Sequence, residues 1–465
     1  MRSAELVLTQ MREPFVPLAF VVVAIVFLIK TRLSTGSKLI AVALMVDSLA
    51  FEFTRFDQTW QRFGAAVVGS ICLLYAIWQF GGFGLEKMHE KIWFVFVIYS
   101  LFGVAVGFLY GNNIVYNIGD FYKILVFSSL YLAAVRMLKV RDVERLLFYL
   151  CIVLMLVSIH MLTLRVYAYM IGGIVPKVGG SSLLPFSTFL MALSQKGQFC
   201  YVGNNKRQRL VIWVLFLVSA ALIVLLSSRR AMVGAGAIVL FCASYIRNVK
   251  VRLKIAGLVV VSVAFIGVTY GMTRTPSEAF FSALVRSSYD SILGTYSNDT
   301  EELEPSSYQR IYQVKEALQL LISYPFAAVF GFGSGAQYFS EVAALGGAGH
   351  NLYYEANFYI HDIHNTYVAV LYRYGALGGA LFLAFWVSYF RFLRRELRKG
   401  EDWPRNRLVL RIVMVFFLYV VTIECNTIYS FFYPFYFAFL LSIPRVLGEK
   451  DKGELIRGSY ADVTH

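Results

Sequence analysis

Apolar runs of about 17–25 residues, parted by short polar connectors, recur along nearly the whole chain, and that is the length a helix needs to cross hydrocarbon. They fall near residues 15–29, 38–54, 62–80, 92–110, 121–138, 145–168, 181–200, 210–227, 231–246, 255–271, 364–390, 408–425 and 431–446. No alternating strand pattern accompanies them, and backbone groups in lipid must be bonded within the segment, so the spans are predicted to be helices rather than barrel strands. The pattern predicts an all-α polytopic membrane protein of about 12–13 transmembrane helices. One stretch breaks the rhythm: residues 272–363 hold no convincing span. An unstructured loop of that length is improbable in a compact protein, so it should carry helices of its own. Ile311, Val314, Leu318 and Leu321 share one helical face there and Pro325 ends the pattern, which predicts an amphipathic helix on the bilayer surface or capping the bundle.

Composition strengthens this picture. With 58% hydrophobic and 15% charged residues and a mean hydropathy of +0.64, the apolar surface exceeds what a soluble core can hide. Cys72, Cys151, Cys200, Cys242 and Cys425 are scattered singly in or beside apolar runs, so they form neither a disulfide framework nor a thiolate metal site. The run 15–29 lacks a small-residue cleavage pattern and precedes Lys30, Arg32 and Lys38, which reads as a retained span and not as a signal peptide.

Charge sets the orientation. The net charge of +15 suggests nucleic acid only until the positions are inspected. The basic residues crowd into connectors, at Lys206–Arg209, Arg247–Lys254 and Arg391–Arg407, as the positive-inside rule requires, so no nucleic-acid partner is expected. Counting crossings from these connectors puts Ser227-Ser228-Arg229-Arg230 at the outer tip of a hairpin, and puts the segment 272–363 outside. That segment has ten carboxylates against Arg274, Arg286, Arg310 and Lys315, an acidic stretch in a basic protein. The expected organisation is an N-terminal transmembrane bundle (1–271), the large external loop (272–363), C-terminal transmembrane helices (364–446) and a cytoplasmic tail (447–465). No soluble domain is long enough to bind a nucleotide sugar in the cytosol, which favours a lipid-linked donor.

Candidate chemistry gathers on the outer side. His364 stands at the outward mouth of a span, where the helix dipole disfavours imidazolium and leaves a neutral ring able to accept a proton. Helix N-termini also attract phosphate. An interfacial capping histidine is the plain alternative. His350, Glu355, His361 and Asp362 lie near it in sequence, but metal-ligand geometry is not assured and no metal or other cofactor is expected. Arg229 and Arg230 at a hairpin tip are either interfacial anchors or guanidinium forks for paired phosphate oxygens. Arg55, Arg62, Arg165 and Lys177 also reach the outer face. Asp47, Glu52, Arg373 and Glu424 lie in or near spans, where charges are costly and usually paired.

His364-Asn365, nine further residues, and then Gly375-Ala376-Leu377-Gly378 at the head of a span resembles the signature of the O-antigen ligase and O-antigen polymerase family. Ser228-Arg229-Arg230-Ala231 looks like that family's second signature, with Arg230 where a small residue is usual; Arg229 is the favoured arginine. Arg310, opening the predicted amphipathic helix, and the stretch from Pro325 through Gly331-Phe332-Gly333-Ser334-Gly335 resemble a third, with altered spacing. We read the alternating glycines as a flexible turn that lets the loop close over substrate. The resemblance implies a membrane-embedded glycosyltransferase of the C type in the bacterial inner membrane, metal-independent and inverting, with its site facing the periplasm.

Its donor would be a glycan on undecaprenyl diphosphate. His364 would be the general base, and Arg229, Arg230 and Arg310 would hold the diphosphate. Asn365, Gly375 and Gly378 would support them. Two acceptors stay open: another lipid-linked repeat, as for a polymerase with a possible chain-length regulator as partner, or a lipid A core, as for a ligase. The Tyr- and Phe-rich loop, suited to stacking on an extended chain, tips the choice towards the polymerase. A lipid-linked oligosaccharide flippase is the reading from another class, although such transporters usually show paired repeats and broken helices at the midplane.

Overall fold

A computed structural model describes residues 33–53, 58–80, 85–140, 142–143, 145–147, 305–339, 359–360, 363, 365–399, 404–419, 421 and 437–448. Apart from one pair of two-residue strands, the regular structure among them is helical. In chain order the elements are α1 (Thr35–Phe53), α2 (Gln58–Phe80), α3 (Met88–Leu109), α4 (Ile114–Met137), α5 (Pro305–Ser323), α6 (Pro325–Phe330), β1 (Tyr338–Phe339), β2 (Tyr359–Ile360), α7 (Thr366–Lys399), α8 (Pro404–Tyr419) and α9 (Phe437–Gly448). Among the described residues α3, α4 and α7 are long and apolar enough to cross a membrane, and shorter apolar helices lie within α1, α2 and α8 and at α9. This is a polytopic helical membrane protein. The runs at 15–29, 145–168, 181–200, 210–227, 231–246 and 255–271 lie outside the described residues, apart from residues 145–147.

The chain divides into two compact units, residues 1–64 with 138–297, and residues 65–137 with 298–465. In the first, Asp142 secures the start of α1: its Oδ2 accepts from the Ser34 amide at 3.1 Å, the Ser34 hydroxyl at 2.7 Å and the Ser37 hydroxyl at 2.8 Å. An anion is favourable there because the first amides of a helix lack intrahelical acceptors.

In the second unit α3, α4 and α7 share an aromatic core. Trp93 of α3 lies 5.0 Å from Phe127 of α4 and 4.7 Å from Phe385 of α7, ring centre to ring centre. Phe96 meets Phe382 at 5.6 Å, and the indole N–H of Trp93 donates to Ser128 at 2.8 Å. On α9, Phe437 adds rings against Phe127 and Trp386. Toward its C-terminal end α3 carries Gly103 and Gly107, four residues apart, which lets other segments approach its backbone closely.

The amphipathic helix expected around 311–321 is α5, and it packs against the bundle. Ala317 and Leu321 are buried with Ala327, Tyr338, Ile363, Val368, Ala369 and Tyr372, while Val314 and Leu318 cover the margin. It begins at Pro305, so Arg310 lies in its second turn and does not open it. Pro325 ends α5 and also starts α6, as its first residue, where a missing N–H and a fixed φ suit a helix start. The β1–β2 pair then places Tyr338 opposite Ile360, shortly before the chain enters α7.

Candidate functional site

Asn365 builds the mouth of α7. Its side-chain oxygen accepts from the amides of Tyr367 at 3.0 Å and Val368 at 3.3 Å, and its own carbonyl takes the Ala369 amide at 2.8 Å. It is therefore the N-cap, a place asparagine fills well. The chemical consequence is specific: two of the amides that an anion would seek at this helix end are already engaged.

Two turns further, α7 breaks. Gly375 has φ +64, a left-handed conformation that glycine tolerates. A side chain there would also strike the backbone of Val329 and Gly331. Gly378 is different. It stays helical, and its bare face lies under the Tyr374 side chain and near Tyr99.

The stretch Gly331–Gly335 is wedged between α3, α4 and α7. Every amide along it has an acceptor: Gly331 to Ala327 O at 2.7 Å, Phe332 to Tyr372 O and Gly333 to Arg373 O at 2.9 Å each, Ser334 to Gly103 O at 2.9 Å, and Gly335 to the Asp120 carboxylate at 2.9 Å. From the α3–α4 connection, the Asn112 carboxamide donates to both Phe332 O and Ser334 O at 2.9 Å. Gly331, Gly333 and Gly335 all have positive φ, and a side chain on them would meet the backbones of Arg373, Gly107 and Asn117 in turn. The glycine run is a packed wedge, where the sequence suggested a flexible turn.

Beneath it sits a buried charge cluster. The Arg373 guanidinium lies 2.7 Å from Asp120, and Lys123, one turn along α4, is 3.6 Å from the same carboxylate. All three are at most 6% exposed. Asp120 so binds α4 to α7 and to the glycine wedge at once. Ser334 and Tyr374 share a hydroxyl–hydroxyl bond of 3.0 Å, and the Tyr99 hydroxyl donates to Tyr374 O at 3.1 Å, across the α7 break.

Of the residues singled out in sequence, Asn365, Gly375 and Gly378 gather at the upper part of α7. Arg310 is on α5, seven residues before Ala317 and three before Gln313. His364, Arg229 and Arg230 lie outside the described residues, as do His350, Glu355, His361, Asp362, Arg55, Arg165, Lys177 and Glu424. Arg373 has the partner its position demanded. Asp120, Lys123, Asn112 and Asn117 were not picked out in sequence, although Asp120 and Lys123 at a three-residue spacing beside a span were the visible signal.

No curated protein matches the chain. Residues 214–383 match the family model described as O-antigen ligase, a stretch that begins before Arg229 and closes after Gly378 and so takes in the α5–α6–wedge assembly and the upper part of α7.

Proposed function

We propose that the chain is a membrane glycosyltransferase that moves a glycan from undecaprenyl diphosphate to a sugar hydroxyl at the periplasmic face of a bacterial inner membrane. The family match and the membrane-spanning helices support a glycan-handling role in the membrane. One observation carries the finer reading. The helix bearing Arg310 shares a single hydrophobic cluster with Ile363, Val368 and Ala369, the described residues on either side of His364.

In this reading His364 accepts the proton of the acceptor hydroxyl as general base. The oxygen attacks the anomeric carbon opposite the leaving group, the bond to the diphosphate breaks, and the configuration inverts. Lipid diphosphate is already a good leaving group, so the protein has to offset its charge. With the Tyr367 and Val368 amides held by Asn365, that task falls to Arg229, Arg230 and Arg310, whose planar forks suit paired phosphate oxygens. The match to the O-antigen ligase family model favours the ligase reading, with lipid A core as acceptor; the aromatic loop favours a second lipid-linked repeat.

Purified protein reconstituted with native lipid-linked repeats, without and then with lipid A core, separates these. A ladder on the carrier identifies a polymerase, and product only with lipid A core identifies a ligase. His364→Ala and Arg310→Ala should each lower turnover by at least about 100-fold. Native turnover in the His364→Ala variant removes the base from the mechanism, and transport without transfer returns the flippase.

A further inference from the structure

We infer that residues 324–335 form a re-entrant hairpin, with α6 standing inside the hydrocarbon of the bilayer and its outward side chains Phe326 and Val329 covered by the acyl chains of membrane lipids. Four observations converge on this placement. The first is depth. Phe102 lies seven residues before the end of α3, about 10 Å in along the helix axis. The Phe330 ring is 6.0 Å from it, and the Phe326 ring lies tilted against Phe330 at 4.8 Å. The far end of α6 is thus well below the end of a membrane span.

The second is the chemistry of the outward face. Ile322 to Phe330 contains no charged residue. Phe326 is 56% exposed, Val329 42% and Ile322 79%, and through Phe330 the face adjoins Phe102, exposed on α3, a helix long and apolar enough to cross a membrane. In water this would be a large unpartnered apolar patch. The third is the aromatic collar. Tyr110 and Tyr324, both half-exposed, each set an edge against the Phe332 ring at 5.7 Å. Tyrosines mark the headgroup level in membrane proteins, and here they mark where the hairpin goes in.

The fourth is backbone accounting. Non-helical chain survives at membrane depth only where protein satisfies its polar groups. All five amides from Gly331 to Gly335 have protein acceptors, and Asn112 serves two of the carbonyls. A loop turning in water has no such requirement.

The test uses the full chain in bilayers of phosphatidylcholine and phosphatidylglycerol without polyprenyl lipid. Phe326→Cys and Val329→Cys are labelled with a water-soluble maleimide and read by peptide mass spectrometry, with Gln319→Cys on α5 as the water-exposed reference. In parallel the native protein is irradiated with a lipid carrying a diazirine in its acyl chain, and adducts are mapped. The expected result is labelling at 326 and 329 at least tenfold slower than at 319, with acyl-chain adducts on the 325–330 peptide. Labelling at equal rates places α6 in water and overturns the inference. Slow labelling without lipid adducts also overturns it, because another protein surface, such as a second copy, then covers the face.

Discussion

At the Gly107 end of α3, chain meets chain backbone to backbone; at the Met88 end it meets through side chains. The first end is closed by three glycines with positive φ set on Arg373, Gly107 and Asn117, and by a carboxylate that takes an amide as well as a guanidinium. At the other, buried His89 contacts Tyr131 at 3.0 Å, lies tilted against Phe392 and meets Tyr389 edge-on. Arg445 there reaches Glu90 at 3.3 Å and exposed Glu86 at 2.7 Å. Side chains can adjust by changing rotamer, whereas two touching backbones cannot. The wedge end should therefore be intolerant of substitution and the other end forgiving.

The largest effect should come from Gly333→Ala or Gly375→Ala. Each combines a left-handed backbone with a collision against main chain, roughly 2–5 kcal/mol together. The expected outcome is loss of the monodisperse peak in detergent size-exclusion chromatography. Gly111 has the same sign of φ but no atom within 4 Å of a would-be side chain, so Gly111→Ala should keep the peak. Equal loss at Gly111 would show that conformation, and not close approach, governs this end.

Of the same order is Asp120→Leu, which removes the carboxylate beside buried Arg373 and Lys123 and should lower stability by about 3–5 kcal/mol, read as a fall in Tm in lipid nanodiscs. Asp120→Asn should cost less, because a carboxamide oxygen can still accept from Gly335. The smallest effect is at the other end. The hydrogen bond and charge of Arg445 hold the Glu86 carboxyl below its ordinary value of 4.5. Such a pair is worth about 0–1 kcal/mol when one partner is solvated. Its contribution is present above pH 4.5 and fades as pH falls through the lowered value. Glu86→Gln should thus lower Tm slightly at pH 7, and the difference should shrink as pH falls below 4.5.

Among the described residues hydropathy located the long helices, since lipid demands long apolar runs, but it misplaced their starts. The run at 121–138 is in fact α4 from Ile114, because Asn117 and Asp120 in its first turns are polar yet buried. Their partners come from the 331–335 wedge, which no local window can see. Pro325 was legible as a stop and equally marked a start. Alternating glycines looked like looseness because glycine signals freedom locally, while here it signals contact. Asn365 was readable as part of a helix mouth because capping is a short-range rule.

The bond between Asn112 and Phe332 joins positions 220 residues apart. The ribosome therefore delivers α3 and α4 to the membrane long before the wedge exists, and Asn112 and the Gly103 carbonyl wait for it. These contacts form only when the stretch ending at Gly335 has arrived. Completion of this end of the bundle is a late event in biogenesis, set by the order of synthesis.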